Sequence, residues 1–86
     1  MIFEIFYDTQ PEKFLCKLDK HISVRLKTKI EVTLPENPVP QNATTIVGEH
    51  GVLRIRIGNF RVLYRVNHES QKIVILKIDD RSRVYD

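Results

Sequence analysis

Strict alternation of apolar and polar residues marks the segment 53–66, which reads LRIRIGNFRVLYRV. This pattern is typical of strands that bury one face, and the Gly-Asn pair at 58–59 tolerates the positive φ angles of a tight hairpin turn. A hairpin closed by this pair places Arg56 directly opposite Arg61. We expect an apolar face made of Leu53, Ile55, Ile57, Phe60, Val62, Tyr64 and Val66. The other face carries Arg54, Arg56, Arg61, Leu63 and Arg65.

The start of the chain predicts a strand followed by a short helix. Residues 1–7, MIFEIFY, alternate so that one side of a strand carries Phe3, Ile5 and Tyr7. The next residues, TQPE at 9–12, match a capping box with a proline in the first helical turn. We expect this helix to run to about Lys17 and to bury Phe14, Leu15 and Leu18.

A second helix is predicted after Asp19, which can cap it. Its apolar residues recur every four positions and form a narrow stripe of Ile22, Leu26, Ile30 and Leu34. Prolines at positions 35, 38 and 40 end this helix and form a stiff connector. The segment 45–51 is then a loop or a short strand that leads into the hairpin.

The last strand is predicted at 72–79, KIVILKID, a nearly continuous apolar run. A five-residue turn at 67–71 aligns Val74, Leu76 and Ile78 with the apolar face and puts Lys77 beside the arginines. A four-residue turn would bury Lys77, so the longer turn is favoured. The open face then also carries Leu63, Ile73 and Ile75.

These elements predict a single α+β domain over residues 1–86. Its order is an N-terminal strand, a two-helix hairpin and a three-stranded antiparallel meander. The two helices cover the apolar face of a four-stranded sheet, and the arginine face stays open.

The positive charge is concentrated in the second part of this chain, which has a net charge of +3. Residues 51–86 hold eight Lys/Arg and four Asp/Glu, whereas residues 1–50 hold six and seven. Like charges on neighbouring strands destabilise a sheet. The arginine face is therefore either a solvated outer surface or a platform for a polyanion, since guanidinium groups match phosphate geometry. Nucleic acid or an acidic protein is the expected partner.

Other classes of protein find little support. No hydrophobic run is long enough for a membrane span, and no signal-peptide pattern is present, so we expect a cytoplasmic protein without a membrane partner. The single Cys16 is expected to pack as a small apolar residue. Scattered glycines and the separated His21, His50 and His68 exclude a phosphate loop and a metal signature, so no cofactor is predicted.

The tail adds Arg81, Arg83 and Tyr85, spaced by two, to the candidate chemistry. Cleavage of RNA by a 2′-hydroxyl needs a proton acceptor, cations for the phosphorane charge and a proton source. Arginines supply the cations, and a tyrosine among arginines could act as the base because positive charge favours its phenolate. A face that only holds nucleic acid would show the same residues.

The segment 51–64, GVLRIRIGNFRVLY, and an ending of an apolar strand, arginines and Val-Tyr resemble the RelE/ParE superfamily of toxins, and RelE-type toxins more closely. The resemblance covers essentially the whole chain. It implies a RelE-like fold and a ribosome-dependent endoribonuclease that cuts mRNA in the A site by 2′-hydroxyl attack. It also implies a RelB-like antitoxin as partner, with the toxin a monomer when alone.

The resemblance assigns roles by position. Arg61 and Arg81 would stabilise the scissile phosphate, although Arg83 could exchange roles with Arg81. Tyr85 would stack on the RNA or serve as the base. Basic residues that contact phosphate would be Arg54 and Arg56. Contacts to RNA or the ribosome would come from Arg65, Arg83 and Lys77.

Two departures from the family are visible. Arg54 and Arg56 replace a lysine pair, and arginine is a poor base. Asp79 and Asp80 stand where a glycine and a basic residue are common, and could pair with Arg61 or Arg81. Two other functions stay open: a ParE-type poison of DNA gyrase, and a non-catalytic RNA-binding module.

Overall fold

The computed structural model describes residues 2–80, which form two helices and one five-stranded sheet. The elements are β1 (Glu4–Tyr7), α1 (Thr9–Lys17), α2 (Lys20–Thr33), β2 (Thr44–Thr45), β3 (Val52–Ile57), β4 (Phe60–Asn67) and β5 (Lys72–Asp80). The strand order is β1-β5-β4-β3-β2, with β1 parallel to β5 and the other pairs antiparallel. The predicted α+β class and meander are confirmed. The short β2, beside β3, makes five strands where four were predicted.

The predicted hairpin of β3 and β4 is confirmed residue by residue. Arg56 pairs with Arg61 and Ile57 with Phe60, and Gly58 adopts a φ of 58° in the turn, which glycine permits without strain. The predicted apolar face lies in or against the core. Five of its residues are buried: Leu53, Ile55, Val62, Tyr64 and Val66.

The predicted alternation along β5 is wrong over its first half. Asn67 pairs with Lys72, so the turn has four residues, and the pairing shifts between Leu63 and Tyr64, whose partners are Lys77 and Ile75. Leu76 is therefore an extra residue in a β-bulge, which reverses the facing of every residue before it. Core positions are taken by Ile73, Ile75 and Ile78, not by Val74 and Leu76. The bulge also keeps Lys77 exposed despite the short turn.

The two helices begin at carboxylate caps. Asp19 accepts a hydrogen bond from the His21 amide at 3.0 Å, as predicted for α2. The cap of α1 is Asp8, which accepts from the Thr9 amide at 2.8 Å, so the capping box predicted at Thr9 is wrong. A carboxylate at this position also interacts favourably with the helix dipole.

The core lies between the helices and one face of the sheet. The helices contribute Leu15, Leu26, Ile30 and the following Leu34, while Ile22 stays 42% exposed. Cys16 is exposed, which contradicts the expected packing, because α1 turns that side toward solvent. Since both helices lie on one face, the opposite face of the meander is left open.

Candidate nucleic-acid interface

The open face of the meander gathers the basic residues of three neighbouring strands. Cross-strand pairing relates Arg56 to Arg61, and Leu63 to both Arg54 and Lys77. Side chains of directly paired residues lie on the same face of a sheet. We call this set the basic face: Arg54, Arg56, Arg61, Arg65 and Lys77. The structure thus brings together all the predicted site residues that it describes.

Arg61 holds the central place on the basic face. Its register neighbours are Arg56 on β3 and Asp79 on β5. The Arg61 Nε atom is buried and has no hydrogen-bond partner among residues 2–80. A buried donor without a partner destabilises the folded state by about 1–3 kcal/mol. Arg61 therefore combines an unsatisfied buried donor with a like charge on the neighbouring strand, and an anion bound on the open face would relieve the repulsion between the two arginines.

Asp79 is the acid that lies in register with Arg61. Its carboxylate lies 3.7 Å from the Lys77 Nζ and forms an ion pair with Lys77, not with Arg61. The other partner considered for it, Arg81, lies outside the described residues. Both side chains of the Lys77–Asp79 pair are partly exposed, and exposed pairs of this kind contribute at most about 1 kcal/mol. Asp80 faces the other side of the sheet, as expected for the next residue in a strand, and lines a groove with Arg25 and Lys29. The basic face therefore keeps a positive excess.

Beside the basic face lies an apolar patch that the sequence reasoning missed in part. Phe6 on β1 pairs with Val74 on β5 and is 43% exposed, with the Lys72 Nζ at 5.6 Å from its ring centre. We call the set of Phe6, Leu63, Val74 and Leu76 the apolar patch. Leu63 and Leu76 are both half-buried. The alternation of β1 indicates that Phe6 lies on the open face, opposite Ile5 and Tyr7. The bulge that turns Val74 and Leu76 to this face has no local sequence signal.

The hydroxyl groups of two of the three tyrosines donate hydrogen bonds to α2 and to the segment that follows it. The Tyr64 hydroxyl donates to the Pro38 carbonyl at 2.8 Å, and burial raises the pKa of Tyr64 to about 12. The Tyr7 hydroxyl donates to Glu31 Oε2 at 2.6 Å, and burial together with this carboxylate raises the pKa of Tyr7 above its ordinary range. Both phenols stay protonated at neutral pH. The third tyrosine, Tyr85, lies outside the described residues together with Arg81 and Arg83.

Among residues 2–80, no group of three His, Cys, Asp or Glu side chains is arranged to hold a metal ion. Neither α1 nor α2 has the length and apolar character that a bilayer crossing needs.

Similarity to known families identifies the class of protein that carries this basic face. Residues 5–85 match the family described as the ParE toxin of the type II toxin–antitoxin system parDE. The chain belongs to this RelE/ParE superfamily and is a toxin of a type II toxin–antitoxin system.

Individual relatives are RelE toxins. The chain is 41% identical over 64 residues to RelE1, a predicted toxin of Methanocaldococcus jannaschii, covering 71% of this chain and 70% of that protein. The archaeal RelE–RelB complex from Pyrococcus horikoshii matches with a TM-score of 0.79 and 29% identity, covering 98% of this chain and 100% of its counterpart. The RelBE2 toxin–antitoxin complex from Mycobacterium tuberculosis matches with a TM-score of 0.79 and 25% identity, covering 94% of this chain and 100% of its counterpart.

Proposed function

We propose that this toxin is a ribosome-dependent endoribonuclease of the cytoplasm. It cleaves mRNA in the ribosomal A site by attack of a 2′-hydroxyl on the adjacent 3′-phosphate, and so inhibits translation. The observation that carries the proposal is the basic face, where Arg56 and Arg61 stand opposite each other across two strands. Positively charged donors placed where phosphorane charge develops lower the barrier most strongly.

The roles follow from position and chemistry. Arg61 stabilises the scissile phosphate, because it lies on the middle strand of the basic face, directly opposite Arg56. Arg54 and Arg56 bind flanking phosphates as fixed cations, since guanidinium does not give up its proton at neutral pH. Arg81 adds a second charge at the scissile phosphate. Tyr85 stacks on the RNA or serves as the base, because Tyr7 and Tyr64 are held protonated elsewhere.

The remaining basic residues are proposed to bind RNA or the ribosome rather than the reacting phosphate. Arg65 and Lys77 are exposed on the basic face, and neither is a register partner of Arg56 or Arg61. Arg83 is assigned the same role by its place in the sequence. Phosphate contacts of this kind give affinity that falls as salt rises.

The proposed antitoxin is a RelB-like protein that covers part of the open face. Solved complexes of the relatives pair RelE with RelB. The apolar surface available for this contact is the apolar patch with Phe6, Val74 and Leu76, not Ile73 and Ile75, which are buried in the core. Capping this patch would remove exposed apolar surface and block the adjoining basic face together.

Primer extension on mRNA from a translating extract tests the proposed activity. The wild-type toxin is expected to produce cuts at codon-spaced positions that disappear when initiation is blocked. Arg61→Gln is expected to abolish them, whereas Arg25→Gln, which removes the same charge from α2, is expected to preserve them. An absence of codon-positioned cuts with active ribosomes contradicts the proposal.

A gyrase poison is the second candidate, because the matched family is described by the ParE toxin. Such a protein would inhibit supercoiling by purified DNA gyrase and would need none of the RNA chemistry. Supercoiling inhibition without mRNA cuts would support this candidate. RNA binding without either activity would instead indicate a non-catalytic module.

A further inference from the structure

One side chain bridges the two ends of the described chain. The Gln10 Nε2 donates to the Ile78 carbonyl at 3.1 Å, and the Gln10 Oε1 accepts from the Ile78 amide at 3.0 Å. The two residues are separated by 68 positions in the sequence. A side-chain amide that bonds both backbone groups of one residue makes the two contacts that a neighbouring strand would make.

The bridge from Gln10 to Ile78 lies just beyond the last residue of β1 that pairs with β5. The last residues paired between β1 and β5 are Tyr7 and Ile75, and the Asp8 amide then donates to the Ile75 carbonyl at 2.9 Å. The chain next enters α1 and leaves the sheet. Gln10, in the first turn of α1, replaces the missing strand at Ile78.

The bulge determines which residue of β5 receives this bridge. In an uninterrupted strand the backbone groups facing β1 after Ile75 would belong to Lys77. The extra residue Leu76 moves them to Ile78, whose side chain is fully buried. The two hydrogen bonds of Gln10 therefore hold β5 in the register that the bulge creates. In this register Lys77 is exposed on the basic face and Ile78 lies in the core.

We propose that Gln10 is a positioning residue of the RNA site, which it serves by clamping the backbone of Ile78 and fixing the end of β5. The residues on either side of Ile78 are Lys77 and Asp79, and Asp79 lies in register with Arg61. Arg81 follows Ile78 by three residues. Displacement of the reacting groups by about 1 Å lowers a rate by about 100-fold.

This inference rests on the proposed RNA cleavage, so its test separates the clamp from the reaction. The variants are Gln10→Leu, which removes both hydrogen bonds, and Gln10→Glu, which keeps the length and the acceptor but cannot donate at neutral pH. Gln41→Leu is the matched control, because Gln41 is exposed and far from Ile78 in the chain. Two readouts are needed: amide hydrogen exchange at Ile78 by NMR, and kcat and KM for cleavage on programmed ribosomes.

Loss of the clamp is expected to speed Ile78 exchange by about tenfold or more in Gln10→Leu. In Gln10→Glu the carboxylate still accepts from the Ile78 amide, so its exchange is expected to rise less than in Gln10→Leu. On the ribosome, kcat is expected to fall by about tenfold to 100-fold while KM changes by less than about twofold. The control is expected to match the wild type in both readouts. All assays are run at a temperature where circular dichroism shows each variant to be folded, so that a loss of global stability does not imitate the effect.

The outcomes that overturn the inference are distinct from those that overturn the proposed activity. Unchanged exchange at Ile78 in Gln10→Leu refutes the clamp. Faster exchange with an unchanged kcat, or an equal fall of activity in Gln41→Leu, refutes the positioning role. If wild-type toxin does not cut RNA, the proposed function fails and the positioning role fails with it, while Ile78 exchange still decides whether Gln10 holds the strand.

Discussion

Arg61→Met is expected to stabilise the free toxin and to abolish its activity. Methionine keeps much of the length of arginine and packs well in partly buried positions. It removes a positive charge directly opposite Arg56 and an Nε donor that has no partner among residues 2–80. Most substitutions in a folded protein destabilise it, so a gain of stability together with a loss of function would point to a residue retained for its chemistry.

The magnitude follows from three contributions. Removal of an unsatisfied buried donor contributes about 1–3 kcal/mol to stability. Relief of repulsion from Arg56 adds about 0.7 kcal/mol in water for charges roughly 6 Å apart, and about half of that at physiological salt. Loss of attraction to Asp79 offsets at most about 1 kcal/mol. The expected gain is about 1–2 kcal/mol, which raises the Tm by roughly 5–10 °C for a domain of this size.

Urea and thermal denaturation at low and high salt measure this gain, and primer extension measures the expected loss of about 100-fold to 1000-fold in cleavage. Arg61→Lys is the informative comparison, because it loses the Nε donor but keeps the repulsion, so it should be stabilised less. Arg25→Met controls for the loss of one positive charge. Destabilisation by Arg61→Met, or wild-type cleavage by it, would refute the reasoning.

The remaining predictions concern the tail, the flanking phosphates and the buried tyrosine. Arg81→Ala and Tyr85→Phe should reduce cleavage far more than the free energy of unfolding, measured by primer extension and urea titration; wild-type cutting by either contradicts its role. Arg54→Gln and Arg56→Gln should each lower the slope of log affinity for single-stranded RNA against log salt by about 0.7; unchanged slopes would exclude phosphate contacts. Since the folded pKa of Tyr64 is raised to about 12, Tyr64 should contribute about 2–3 kcal/mol to the free energy of unfolding below pH 10, and this contribution should be lost as the pH rises toward 12. Tyr64→Phe should be less stable than the wild type at neutral pH. Its stability should fall less than that of the wild type between pH 8 and pH 11, because only the raised pKa of Tyr7 then contributes. Equal losses of the free energy of unfolding in the two proteins, measured by urea titration at both pH values, would contradict the assignment.

Under the proposed function, shared use of one face by RNA and the antitoxin gives a physical account of toxin control. The basic face and the apolar patch adjoin on the same side of the sheet, where Leu63 pairs with Lys77. A partner that buries the apolar patch gains hydrophobic stabilisation and at the same time excludes RNA from the neighbouring arginines. This arrangement favours one bound partner at a time.

Much of the candidate site was predictable because its pattern is local. The Gly-Asn turn determines the hairpin register, so the pairing of Arg56 with Arg61 follows from the sequence and is confirmed. The buried face of β3 and β4 follows in the same way from strict alternation. The helix that Asp19 caps was predicted for a similar reason, since a cap acts on the backbone amides directly after it.

The sequence by itself therefore determined the order of elements, the hairpin and the arginines on its open face, because turn chemistry and alternation act between near neighbours. Only the tertiary structure decided the phase of β5, the place of β1 beside it and the clamp from Gln10 to Ile78. In an apolar run such as 72–78, either face can be buried, so alternation does not choose between registers. The choice falls to long-range contacts: the bulge at Leu76 and the bridge from Gln10 put Ile73, Ile75 and Ile78 in the core and leave Lys77 with the arginines.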